Sequence, residues 1–212
     1  MLQASVIVDR ARISLIDPRE VHWSDAELYD YLSAGQRAVV QLKPSAYTIT
    51  ELVSLAAGVV QNLPSEGLQL FDIYFNASGA GITQVGREVL TEMLPQWAVA
   101  TQTVDAEHWM SDARDPRRFL VYPPNTGAGS VMAHYAAYPP TVDISTGSVL
   151  VIPESYDMAL WASVMAQALA KNSRRQDLGK SQIFFSIFTG LVTGRMQAKE
   201  INAPRLDVQE RA

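Results

Sequence analysis

The sequence predicts an α+β protein: mainly a helical bundle from the N- and C-terminal helices, with a small antiparallel β-rich insertion between them. Three observations carry this. Apolar residues recur at helical spacing at both ends of the chain. The middle holds β-branched and aromatic runs separated by Gly- and Pro-rich turns. The 212 residues, 48% of them hydrophobic, suffice for a sizeable core. The expected divisions are N-terminal helices over 1–46, a β-rich insertion with a short helix over 47–150, a C-terminal helical hairpin over 151–202, and an extended arm over 203–212.

Residues 3–16 predict a short amphipathic helix with Val6, Ile13 and Ile16 on its apolar side. Asp17-Pro18 ends it, because a residue before proline is pushed out of the α region. Ser24-Asp25-Ala26-Glu27 has the form of a capping box, and Trp23 with Leu28 the form of a hydrophobic staple. The helix that follows carries Leu28, Leu32, Gly35, Val39 and Leu42 on one stripe and stops at Lys43-Pro44. Gly35 lowers helix propensity there, so a neighbouring element is expected to approach closely.

"YTITELVSL", "AGVVQ" and "LQLFDIYF" predict strands, "NASGAG" a turn, and "TQVGREVLTEML" a short helix. "DAEHWMSDARDPR", residues 105–117, is expected to be a polar loop. "RFLVYPP" and "SVMAHYAAYPP" predict two strands joined as a hairpin by the glycines of "NTGAGS", each stopping at Pro-Pro near a sheet edge. "PESYDMALWASVMAQALAKN" predicts a helix with Glu154 and Asp157 at its start and Lys171 at its end, matching the helix dipole. A second helix follows the turn "SRRQD", with Phe184, Ile187, Phe188 and Leu191 as its apolar stripe. Its Gly190 and Gly194, four apart, suit close contact with another helix.

Composition narrows the function. The net charge of −5 argues against binding nucleic acid by phosphate neutralisation, although an acidic wall lets a polyanion pass without sticking. With no cysteine there is neither a disulfide nor a thiolate metal site. The charged fraction of 18%, below the usual ~25%, leaves surface for partners to cover. Asp9, Arg10 and Arg12 interrupt the first apolar segment, unlike a signal peptide, and no run approaches the roughly 18 apolar residues of a membrane span. A soluble protein made in a cytoplasm is expected.

Catalytic motifs fail on inspection. "NTGAGSV" has glycines and Ser130 but not the lysine a phosphate loop requires. Gly79, Gly81 and Gly86 have the wrong spacing for a dinucleotide loop. Asp105, Glu107, His108, Asp112 and Asp115 lack the order of a calcium loop. His22, His108 and His134 join no nucleophile motif. No catalytic, cofactor or metal residue is assigned. The aromatic residues are more informative: Trp109, Tyr122, Tyr135 and Tyr138 concentrate in the β-rich part as sheet packing or as interface anchors. Arg174 and Arg175 form a basic corner, and Arg195, Lys199, Arg205 and Arg211 lie along the C-terminal segment. These six are candidates for a partner or subunit interface.

Taken in order, "WSDAELYDYLSAGQRAVVQLKPSA", "AAGVVQNLPSEGLQLFDIYFN", "LPQWA", "DARDPRRFLVYPP", "AAYPP" and "IPESYDMALWASVMAQALAKN" resemble the head-to-tail connector, or adaptor, proteins of short-tailed bacteriophages. At Lys171-Asn172 the chain departs from the family's frequent Lys-Asp. The resemblance implies a non-enzymatic virion protein, assembled in the host cytoplasm into a ring, usually dodecameric, under the portal vertex. Its partners would be the portal protein, a tail nozzle or tube protein and further copies of itself, with genomic DNA passing through the lumen without specific binding and no membrane involved. On this resemblance Arg174, Arg175, Arg195, Lys199, Arg205 and Arg211 are expected at a portal or subunit interface, and Trp109, Tyr122, Tyr135 and Tyr138 at a tail or subunit interface. The alternatives are another neck or tail-tube ring protein and, from another class, an enzyme using the 105–130 region with a metal or phosphate.

Overall fold

The computed structural model describes residues 2–142 and 149–202, with side chains described as far as Gly194. The chain divides into two compact units, Met1–Lys43 with Pro139–Ala212, and Pro44–Tyr138. The fold is mixed α+β. The β-rich part is larger than the sequence suggested: the described residues hold seven strands in two sheets beside five α-helices.

In the first unit, helices α1 (Ala4–Leu15), α2 (Asp25–Leu42) and α5 (Leu178–Asn202) all pack on α4 (Asp157–Ala170). Helix α4 is Ala-rich and buried almost all round, as a central helix must be. The small side chains let its neighbours come close. A Cβ on Gly35 of α2 would stand 3.0 Å from Ser163 Oγ of α4, so the expected close approach is made here. Helix α1 departs from expectation. Its buried face is Ala4, Ile7, Val8, Ala11 and Leu15, while Val6, Ile13 and Ile16 are exposed. The two stripes compete on one short helix, and packing against α4 selects the more complete one.

The α1–α2 connection is pinned by ionic groups. Ile16 takes the left-handed conformation at φ 55° and closes α1. The buried Asp17 carboxylate then accepts from the backbone N–H groups of Val21, His22 and Trp23 at 2.9–3.0 Å. Arg12 donates to the carbonyls of Asp17 and Trp23 and pairs with Asp25. Lys171 donates to the His22 carbonyl at 2.9 Å and to Glu27 at 2.7 Å. The α2 cap forms as expected, with Ser24 Oγ accepting from the Glu27 N–H.

The second unit stacks two sheets. One has the order β1 (Thr48–Ser54), β7 (Ser130–Ala137), β3 (Gly67–Asn76). The other has the order β2 (Gly58–Asn62), β6 (Arg118–Asn125), β5 (His108–Ser111), β4 (Thr83–Gln84). Helix α3 (Arg87–Met93) follows β4. The core contains Val53, Leu55, Ile73, Trp109, Phe119, Val121, Val131 and Tyr135, drawn from both sheets.

Three expectations about this unit are corrected. The segment 105–117 is not wholly a loop, because it supplies β5. Strands β6 and β7 are not a hairpin: they belong to different sheets, so residues 126–129 cross between layers. Both strands are also central rather than near an edge, and β6 runs through Pro123 and Pro124 to Asn125. The prolines are tolerated because β6 pairs with β5 only over Phe119–Tyr122, so neither missing N–H is needed in that ladder.

Candidate assembly surfaces

The Gly-rich crossing at 126–129 shows how local chemistry fixes the β unit. Asn125 is fully buried; its Oδ1 accepts from Gly127 and Gly129 N–H, and its Nδ2 donates to the Val104 carbonyl at 2.7 Å. Gly127 sits at φ 91°, and a Cβ on Gly129 would lie 2.1 Å from the Val104 carbonyl oxygen. The amides a phosphate would require are therefore already bound by a side chain. Gln61 and Asn76 act in the same way. Gln61 closes the β1–β2 turn through both the N–H and the carbonyl of Ala56, and Asn76 grips both the N–H and the carbonyl of Ala106. Three buried neutral amides hold the loops of this unit.

The acidic cluster is dispersed. Asp105 accepts from Ser78 Oγ, Asp112 and Asp115 cap their own turns, and His108 stacks on Tyr122 with ring centroids 6.1 Å apart. Among the described residues no group of three or more His, Asp or Glu side chains converges to hold a metal ion. No helix of the described residues is long and apolar enough to cross a membrane.

The aromatic candidates separate into two kinds. Trp109 and Tyr135 are each 1% exposed and belong to the inter-sheet core. The Tyr135 hydroxyl donates to Glu51 at 2.5 Å; burial, with the neighbouring carboxylate, pushes the phenol well above its ordinary pKa. These two side chains are packing residues, since little of either is left for a partner to touch. Tyr122 is half-buried, and Tyr138 is exposed beside a backbone bond to Glu66. Tyr122 lines a groove of 510 Å³ with Leu94, Pro95, Trp97, Val99 and Ala100. Val99 there is 79% exposed, and Val89, Met93 and Leu94 extend the apolar surface along α3. Sequence reasoning picked out Tyr122 of this groove but not its neighbours on and after α3, because a helix of seven residues gives too short a pattern to show which side is left open.

The basic candidates separate too. Arg175 donates to the carbonyls of Leu15 and Ile16 and so caps α1, because the last carbonyls of a helix lack partners of their own. Its guanidinium serves the fold. Arg174, next to it, is exposed. Arg195 and Lys199 lie on α5, where side chains are outside the described residues, and Arg205 and Arg211 lie outside them altogether.

Two buried or half-buried carboxylates in the helical unit, Asp17 and Glu27, are held below their ordinary range, as is the more exposed Asp177 beside Lys180. Burial alone would raise Asp17, but the N–H groups of His22, Trp23 and Val21 outweigh it. Burial likewise opposes ionisation of Glu27, and Lys171 together with the Tyr31 hydroxyl outweighs it.

Helix α5 has two apolar faces. Phe188 and Val192 are buried, Phe184 meets Trp161 edge-on at 5.3 Å, and the Ser181 hydroxyl donates to the Ala166 carbonyl. On the other side, Ile183, Ile187, Gly190 and Gly194 fall within an arc of roughly 60° at helical geometry. Ile183 is 60% and Ile187 40% exposed, and a Cβ on either glycine would meet nothing within 4 Å. The expected stripe was therefore mixed: Ile187 belongs to the open face. The expected close contact at Gly190 and Gly194 is not made within the described chain.

Among the described residues there is no assembled catalytic constellation, and two apolar surfaces are left open by them. Among curated proteins none matches it. The family model of the SU10 adaptor protein matches residues 3–207, almost the whole chain. The chain belongs to the SU10 adaptor protein family and is a bacteriophage adaptor protein.

Proposed function

We propose that this protein is a structural head-to-tail connector that forms a ring beneath the portal vertex, extends the DNA channel and offers the attachment platform for tail components. The observation that carries the proposal is the outer face of α5. Ile183 and Ile187 continue into a row with the exposed Gly190 and Gly194, at which an added Cβ would meet nothing in the described chain, the composition that lets a second helix approach closely and bury apolar area. Side-by-side packing of helical units through this face closes the ring, of which a dodecamer is the expected size. The net charge of −5 suits a lumen through which DNA moves without binding. No step in this role is enzymatic.

The portal contact is assigned to the C-terminal segment from Arg195 through Lys199 and Arg205 to Arg211, with Arg174 beside the helical hairpin. The tail contact is assigned to the Trp97–Tyr122 groove and to Tyr138. Electron microscopy of the purified protein, alone and with portal protein, tests the ring. The double variant Ile183→Glu and Ile187→Glu is expected to keep its circular dichroism spectrum and lose ring formation. Rings that persist in that variant overturn the assignment. Deletion of residues 203–212 is expected to abolish capture by portal while leaving the fold unchanged.

A further inference from the structure

We propose that the outer edge of β1 is a docking site for an extended strand of a different polypeptide, one that places a Lys or Arg opposite Glu51. A sheet edge is an open row of backbone donors and acceptors, and proteins usually blunt it with bulges, prolines, lysines or shortness. The four sheet edges among the described residues differ in that respect. Strand β4 is two residues long, β2 is bulged between Gly58 and Val60, and β3 shifts register three times along its pairing with β7. Strand β1 keeps one unbroken register with β7 over seven pairs, from Thr48↔Ala136 to Ser54↔Ser130, and contains neither proline nor lysine.

The hydrogen-bond phase identifies the open groups. Ala137 N–H donates to the Tyr47 carbonyl, and Leu55 N–H donates to the Gly129 carbonyl. Antiparallel pairing alternates, so Ile49, Glu51 and Val53 also face β7, while Thr48, Thr50, Leu52 and Ser54 point their N–H and C=O groups to the free edge. Beside that edge lies an apolar sheet face. Leu52 is 53% exposed, Thr50 Oγ1 bonds His134 Nδ1 at 2.8 Å, and the His134 ring stacks on the exposed Tyr74. An added strand would gain main-chain bonds from β1 and apolar contact from Leu52, which is how strand addition achieves affinity and specificity.

Charge selects the occupant. The three strands of this sheet contain Glu51 and Asp72 and not one Lys or Arg. Glu51 is the middle residue of β1, so pairing β1 with β1 of a second copy, in register and in either direction, sets Glu51 against Glu51. Like charges directly opposite destabilise a strand pair. A basic strand from another protein meets no such repulsion.

The inference rests on the chain being part of an assembled phage particle and not on the ring, whose presence is read separately by microscopy. The test is amide hydrogen exchange over residues 48–54 in the free full-length chain and in purified phage particles. The expected result is fast exchange at Thr48, Thr50, Leu52 and Ser54 in the free chain and roughly tenfold or greater slowing in the particle. Equal exchange in both states overturns the proposal. Slowing that appears in the purified chain alone, as its concentration rises, overturns it in favour of a second copy. Glu51→Gln keeps an acceptor for the Tyr135 hydroxyl and removes the charge. It is expected to lower incorporation into particles several-fold without promoting self-association, whereas enhanced self-association would again identify the partner as a second copy.

Discussion

The α1–α2 connection of the helical unit and the inter-sheet crossings of the β unit are held by different chemistry. In the helical unit the α1–α2 connection is pinned by ionised side chains, Arg12, Asp17, Lys171 and Arg175. In the β unit the crossings are pinned by the neutral amides of Gln61, Asn76 and Asn125. The reason lies in what each loop leaves unpaired. A helix end exposes several groups of one polarity, carbonyls at α1 and amides at the following turn, so a full charge of opposite sign satisfies several at once. A strand crossing leaves a donor and an acceptor side by side, and a carboxamide, carrying one of each, fits both.

This contrast can be broken at its strongest point first. Gly129→Val should have the largest effect, since even a Cβ overlaps the Val104 carbonyl. A loss of about 4 kcal/mol or more is expected, with the β unit failing to fold while the helices persist in circular dichroism. Asn76→Ala leaves both backbone groups of Ala106 without their partner in a buried site. It should cost about 3 kcal/mol, measured by urea denaturation. Asn76→Asp should be no better at neutral pH, because a carboxylate cannot donate to the Ala106 carbonyl.

Acid sharpens the comparison. Asp17 and Glu27 have folded pKa values below their ordinary ones, so they bind fewer protons in the folded state than in the unfolded state. Their contribution is fully present above the unfolded values and is lost as the pH falls through the folded ones. Hydrogen exchange at about pH 3 should therefore find the α1–α2 connection opening before the β crossings, whose pins do not titrate. The smallest effect is expected for Lys171→Met. Its ion pair with Glu27 is partly solvated, so about 1 kcal/mol should be lost, visible as a modest drop in Tm. A loss as large as that of Asn76→Ala would show that the ionic pins carry as much as the amide ones.

Much of the fold was legible in the sequence. The α2 cap at Ser24, the strand composition of β1 and β3, and the central Ala-rich helix α4 are local signals that the structure repeats. So was the family: the ordered motifs from Trp23 to Asn172 pointed to the phage adaptors, and the match over residues 3–207 identifies the same group. What failed were inferences about sides and neighbours. Val6, Ile13 and Ile16 formed a plausible stripe on α1, but the periodicity of so short a helix admits two stripes and only α4 chooses between them. Trp109 and Tyr135 had the composition of interface anchors, and the same composition fills the space between two sheets. Arg175 looked like a free corner until α1 ended within its reach.

The sequence by itself determined the start of α2 at its Ser24 cap and its stop before Pro44, because a cap and a proline act through groups a few residues apart. It also determined that no cysteine chemistry or simple phosphate loop is present, because those need residue types or spacings the chain lacks. Tertiary structure alone decided that β6 and β7 enter different sheets, that Asn125 rather than a ligand occupies the amides of Gly127 and Gly129, and that α5 keeps a second apolar face open. Each of these depends on groups distant in sequence meeting in space, and a local pattern carries no record of which partner arrives.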